Sequence, residues 1–358
     1  MRILDRYIFM QLIAPFFFGF FLFVTIIAID PIMAAMQNAV NENVPFEVVW
    51  RWFYNRLPQD MIYTFPMSVL LANLMVFGRM SKDSETTALK AGGTNFFRTM
   101  FPVIMFATIV TIISFIFNET VVPKANENAR RIKRVEINKA IEPETTENAI
   151  LRTSDGSFAY ARRVFEKRKF MEQVLLEYYD DNGNLLKRIS SPKVIWDGNS
   201  WIMENAVEQV YVNNELASPT TKVNLKLDIK EGPKDFARES KRPVEMSYKE
   251  LKSRIEAYER SQFMDTTEMR VGLAMKTSLP FAAIFFAIIG ASYGLQNNRG
   301  GTFIGFGVSI GVIFVYYILM STFSALGKAG YLPPMLAAWG QNIVFAVVGL
   351  ITIQRIND

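Results

Sequence analysis

Six stretches without a charged residue constrain this chain more than any other feature: Ile8–Ile29, Met61–Gly78, Thr99–Asn118, Thr277–Asn298, Gly300–Gly327 and Ala329–Gln354. Each is about 18 residues or longer, enough for a helix rising about 1.5 Å per residue to cross a hydrocarbon layer of about 30 Å. A helix in a soluble core needs a polar face, and these stretches have none. Three precede a polar block running from about Lys124 to Arg270, and three follow it. The chain therefore reads as a polytopic α-helical membrane protein carrying one inserted domain of ordinary size.

What is missing excludes whole classes of chemistry. The 358 residues include no cysteine and no histidine. Disulfides, thiolate and imidazole metal sites, cysteine nucleophiles and histidine acid–base pairs are all ruled out. The spans carry no paired carboxylates, so no catalytic residue, metal or cofactor is expected. A net charge of +5 is explained by loops that orient membrane spans, and it implies no nucleic-acid partner.

Charge also predicts orientation. With the N-terminus inside, the inner segments collect Arg2, Arg6, Arg79, Lys82, Lys90, Arg98, Arg299 and Arg355; the short outer loops collect Arg51, Arg56 and Lys328. Both termini then lie in the cytoplasm and the insert outside. A signal peptide is the rival reading of the first span. Its length, and the lack of a small-x-small site before Asp30-Pro31, favour a retained helix. In the first outer loop Phe46, Trp50, Trp52, Phe53 and Tyr54 fit an interfacial helix at headgroup level, or an amphipathic helix packed on its own protein.

Within the insert the pattern changes from helical to alternating between Asn148 and Leu227. Ser157–Val164 and Lys169–Tyr179 alternate, and Leu185–Ser190, Lys193–Trp196, Trp201–Glu204, Val207–Val212 and Thr221–Leu227 read as further short strands. Asp181–Asn184 and Asp197–Asn199 are turn signals. An antiparallel sandwich or roll follows. Helices flank it: Lys124–Lys139 continues the third span, and Ser247-Tyr-Lys-Glu250 is a capping box opening a helix to about Arg260. Leu251, Ile255 and Tyr258 form the buried stripe of that helix.

One inner segment has the makings of a docking element. In Arg79–Thr94, Ser81 can cap a short helix, with Asp83 and Glu85 in its first turns, Lys90 in its last and Gly92 as its stop. Its surface of Ser84, Thr87, Ala88 and Ala91 is small and polar. Gly300, Gly301, Gly305 and Gly307 lack a following Lys-Ser/Thr; they fit close helix packing and not a phosphate loop.

Several short pieces, in this order and spacing, resemble the LptF/LptG permease family. They are Ile3-Leu-Asp-Arg-Tyr-Ile8, Ser84-Glu85 with Ala91-Gly-Gly93, Lys276 with Leu279-Pro280, Arg299–Gly307, Tyr316-Tyr317 and Leu332–Trp339. The resemblance covers all six spans and the order of three, insert, three. It implies a membrane subunit of the ABC machine that extracts lipopolysaccharide, with ATP hydrolysed by a separate partner. Its further implications are a six-helix membrane fold with an extracytoplasmic antiparallel β-jellyroll, divided as residues 1–122, 123–270 and 271–358. A coupling helix at about residues 81–91 would meet the ATPase through Ser84, Glu85, Thr87, Ala88, Ala91 and Gly92, Glu85 being the acid.

The partners implied are an LptB-like cytoplasmic ATPase, a paralogous or identical permease subunit, periplasmic LptC/LptA-like jellyroll proteins, and lipopolysaccharide. Lys276, Phe21 and Phe23 are the candidate lipid contacts, and the location implied is the cell inner membrane. Where some members carry a cation at the outer end of the first span, this chain has Asp30. Two rival readings stand beside this one. The first is a non-transporting ABC-linked protein whose outer domain signals to a cell-envelope partner. The second, a membrane-embedded hydrolase or glycosyltransferase, has little chemistry to draw on without His or Cys.

Overall fold

The computed structural model describes residues 3–41, 44–137, 146–153, 157–166, 168–180, 185–212, 215–216, 220–227, 229, 231–233, 236, 243–261, 265–296 and 301–357. Arg2, Arg299, Gly300 and the expected turn at Asp181–Asn184 lie outside these residues. The chain forms two compact units. One comprises Met1–Lys133, Pro243–Lys252 and Thr266–Asp358; the other comprises Arg134–Arg242 and Ser253–Asp265.

Among the described residues, the first unit holds six helices long and apolar enough to span a membrane. They belong to α1 (Ile3–Ile27), α3 (Phe46–Lys82), α5 (Phe96–Ile132), α7 (Thr267–Gln296), α8 (Gly301–Lys328) and α9 (Pro334–Asn357). Two smaller helices, α2 (Ile29–Asn41) and α4 (Glu85–Ala91), follow α1 and α3, and α6 (Tyr248–Ser261) precedes α7. At 37 residues each, α3 and α5 are about 55 Å long, nearly twice the hydrocarbon thickness. The aromatic segment expected as a separate interfacial helix is instead the start of α3. Its polar residues Glu47, Arg51 and Asn55 interrupt hydrophobicity without interrupting helical geometry. Trp52 is buried there, while Phe46, Trp50 and Tyr54 form an exposed stripe at four-residue spacing.

Buried polar groups in this unit are used between helices. Pro280 has no amide to offer the carbonyl of Lys276 four residues back. The Asn118 side chain of α5 donates to that carbonyl at 3.4 Å, and Thr111 donates to the Pro280 carbonyl at 3.1 Å. Tyr316 of α8 donates to Asn342 of α9 at 2.8 Å, and Asn342 donates to the Ser278 carbonyl of α7 at 2.9 Å. The capping box forms as expected: Ser247 N–H donates to Glu250 at 2.8 Å, and Glu250 N–H to the Ser247 hydroxyl at 3.2 Å. Glu119 adds a second cap, accepting from the Tyr248 amide at 2.7 Å. Leu251, Ile255 and Tyr258 are buried.

The second unit is an antiparallel sheet. Its strands are β1 (Thr146–Arg152), β2 (Phe158–Phe165), β3 (Phe170–Tyr179), β4 (Leu185–Trp196), β5 (Trp201–Val212), β6 (Glu215–Leu216) and β7 (Thr220–Leu227). Each of β1 to β5 pairs with the next along the chain; β7 takes the other side of β5, and β6 pairs at its end. Among the described residues this is a meander, and the expected jellyroll crossover is not in these pairings. Two pairs of expected short strands are each a single strand. Ser191-Pro192 and Asn205, which read as breaks, lie inside β4 and β5.

Those interruptions line up. Buried positions switch parity between Ala161 and Val164 in β2, Met171 and Val174 in β3, Ser191 and Val194 in β4, and Met203 and Ala206 in β5. The register sets Arg162 opposite Gln173, Gln173 opposite Pro192, and Pro192 opposite Asn205, and these positions drop out of the ladders. Gln173 and Asn205 have φ of 49° and 52°, and Pro192 has no amide to pair. A slip in one strand would turn its apolar set to the wrong face. Because all four strands slip together, the register survives and the sheet gains a transverse line of irregularity. Its core gathers Trp201, Met203, Leu176, Ile189 and Phe236. Trp201 also donates to the Glu231 carbonyl at 2.7 Å. Glu177, a deeply buried carboxylate of this unit, meets Arg188 at 2.8 Å and accepts from Tyr179 at 2.6 Å. Burial, then that hydrogen bond, pushes the Tyr179 phenol well above its ordinary range.

Candidate functional site

The segment between α3 and α5 is built from short-range rules. Helix α3 runs through Ser81, which is buried, and ends at Lys82. Ser81, expected to cap the short helix, therefore lies inside α3 instead. The short helix starts at Glu85, after Ser84 has turned the chain with φ of 59°, a conformation costing an L residue about 1 kcal/mol. The Ser84 carbonyl accepts the first bond of α4, from Ala88 N–H at 3.0 Å. At the far end Gly92 N–H donates to Ala88 and Thr94 N–H to Leu89, at 2.9 and 3.0 Å. Gly93 holds φ of 77°, as a left-handed helix stop requires. Asn95 then caps α5 through the Phe97 amide at 3.2 Å.

With only seven residues, α4 needs anchors. Thr86 is buried, and Leu89 packs on the helical core with Met80, Met100 and Ile8. The opposite face is uncovered: Ser84, Thr87, Ala88, Ala91 and Gly92 are all exposed. Five of the six expected docking residues therefore share an accessible surface. Glu85 differs. Its side chain is 31% exposed, and its carboxylate turns toward α1, accepting from the Tyr7 hydroxyl at 2.9 Å.

Around this contact the end of the unit is cross-linked by polar groups. Arg79 of α3 stands 3.8 Å from Glu85 and donates to the side chain of Gln11 on α1. Asp5 of α1 is buried, and Arg98 of α5 lies 2.8 Å from both of its carboxylate oxygens. Arg98 also covers the Phe101 ring at 5.7 Å. In the sequence, Asp5 and Tyr7 stand out only as members of an opening motif, and Arg79 and Arg98 only as orienting charge. Their partners lie 68 to 93 positions away, beyond any local pattern.

The expected lipid contacts do not form one surface. Phe21 is 65% exposed and Phe23 5%; two positions apart on a helix, they face opposite ways. Phe23 belongs to a core with Met67, Leu71 and Phe286. Lys276 is 7% exposed, and Glu119 and Glu250 are the acids acting on its charge.

Among the described residues no group of three acidic side chains is placed to hold a metal ion. The family described as lipopolysaccharide export system permease LptF/LptG matches residues 6–355. No curated protein matches the chain.

Proposed function

The chain belongs to the LptF/LptG permease family, a membrane subunit of the ABC transporter assembly for lipopolysaccharide export, and from that premise we propose that α4 is where a cytoplasmic ABC ATPase docks. The observation that carries the reading is the uncovered face of Ser84, Thr87, Ala88, Ala91 and Gly92, held outward by buried Thr86 and half-buried Leu89. Small side chains let a partner's surface close on the helix, and exposed backbone polar groups at its two ends add hydrogen bonds. Glu85, at the first position, would complete the face when its carboxylate meets a guanidinium of the partner.

In this reading both termini lie in the cytoplasm of the inner membrane and the β unit lies in the periplasm. Two permease subunits, identical or paralogous, enclose the lipid. Closure of the ATPase presses on α4, narrows the cavity and passes lipopolysaccharide to a β-rich periplasmic acceptor. Phe21, uncovered on α1, is suited to meet an acyl chain. Lys276, buried within the helical unit, would tie α7 to its neighbours.

A photo-reactive residue at Ala88 in the native membrane tests the docking reading. Capture of a cytoplasmic ABC ATPase is expected. An inserted, intact protein that captures none from that position overturns it.

A further inference from the structure

We propose that Tyr7 and Asp5 are positioning residues that fasten both flanks of α4 to the opening turns of α1, so that a push on α4 is delivered to α1. The inference rests on the docking reading of α4.

Three polar contacts meet on the first three turns of α1. Tyr7 and Gln11, four apart and therefore on one face, hold Glu85 at the start of α4 and Arg79 at the end of α3. Asp5, on another face, holds Arg98 at the start of α5. The loop that carries α4 is thus clamped on both sides to the same short piece of α1. A hydrogen bond to a carboxylate and a buried carboxylate–guanidinium pair are the stronger kinds of polar contact.

The rest of α1 is fully buried along one seam only, with Phe9, Ile13 and Phe20 partly covered beside it. Its buried residues are Asp5, Ile8, Leu12, Phe16, Gly19 and Phe23, spaced by three or four, and long apolar side chains such as Phe17, Phe18 and Phe21 are uncovered. Helix α3, by contrast, is buried over most of its middle, from Phe65 to Phe77. A displacement arriving at the loop therefore meets two helices of unequal freedom. The one held along a narrow stripe yields first, and it is joined to α4 through Tyr7. The same geometry explains the opening Asp5-Arg6-Tyr7, in which Asp5 serves one flank of α4 and Tyr7 the other.

The chain has no cysteine, so a reporter pair can be placed without background. The complete transporter, permease pair with its ATPase, is reconstituted in liposomes of phospholipid and lipopolysaccharide. Lipopolysaccharide released per ATP hydrolysed is the readout, alongside co-purification of the ATPase. Tyr7→Phe is expected to leave the ATPase bound and to lower release per ATP about tenfold or more, the worth of one hydrogen bond to a charged group. Tyr7→Phe combined with Gln11→Cys and Arg79→Cys, which leaves Glu85 in place for the ATPase, is expected to lose coupling in the same way and to regain it when a short bis-maleimide bridges the two thiols across this flank of α4.

Wild-type release per ATP in Tyr7→Phe, loss of the ATPase from that variant, or a bridge that halts transport would each overturn the proposal. Bridge-arrested transport would mean that α4 and α1 must part. A separate arm, Ala88→Trp, tests the docking reading alone. It is expected to displace the ATPase, and an ATPase still bound would sink the docking face whatever Tyr7 does.

Discussion

Asp197 closes the β4–β5 turn by accepting from the amides of Asn199 at 2.9 Å and Ser200 at 2.7 Å, and from the Ser200 hydroxyl at 3.0 Å. Those bonds, the Asn199 amide first, hold its carboxyl below the ordinary range. A depressed folded pKa contributes stability that is complete above the unfolded value of about 3.9 and is lost as pH falls through the lower folded value. Asp197→Asn keeps an acceptor for the turn but cannot titrate. The acid limb of thermal unfolding, followed from about pH 5 downward, should be flatter in the variant. Equal slopes would remove Asp197 from the acid response. This turn was legible in the sequence because all its groups lie within four residues. The direction of Glu85 was not, because its donor is a hydroxyl 78 positions away.

Helices are where sequence and structure agree most closely, and the reason is physical. A backbone surrounded by hydrocarbon must satisfy its own hydrogen bonds, so a long apolar run has few alternatives. Helix ends were less legible at α3, which begins well before its apolar part, whereas the extension of α5 beyond its apolar part was expected from Lys124 onward. Helix approach is set by particular glycines. A Cβ at Gly294 of α7 would lie 2.7 Å from the Cβ of Phe77, and one at Gly290 would lie 2.9 Å from the Cβ of Asn73. Of the glycines read as packing positions, Gly305 touches Leu74, whereas a Cβ at Gly307 would meet nothing within 4 Å. Gly294→Val should cost about 2 kcal/mol or more, by forcing α7 off α3. Gly307→Ala should leave the isolated subunit as stable as the parent. Thermal stability in detergent, read by fluorescence-detected size exclusion, separates the two. Equal midpoints for both variants would mean that α7 and α3 have room to spare.

Across the whole molecule, a cysteine-free chain makes its orientation directly measurable. Asp83 in the turn before α4 and Asn199 on the β4–β5 turn are both exposed in the fold, and each can be replaced singly by cysteine. With the outer membrane permeabilised, an impermeant maleimide is expected to label Asn199→Cys in intact cells, and Asp83→Cys only after the inner membrane is opened. The reverse pattern would invert the topology and remove α4 from any cytoplasmic partner. The sequence alone determined six spans, one β-rich insert and the place of a short helix between the second and third spans. Hydrophobic length, two-residue alternation and capping residues are local, additive signals. Only the tertiary structure decided that four strands slip together, that Asn118 serves the carbonyl freed by Pro280, and that Asp5 and Tyr7 clasp the flanks of α4. Each of these depends on groups brought together from distant parts of the chain, and one-dimensional order carries no record of which of them will meet.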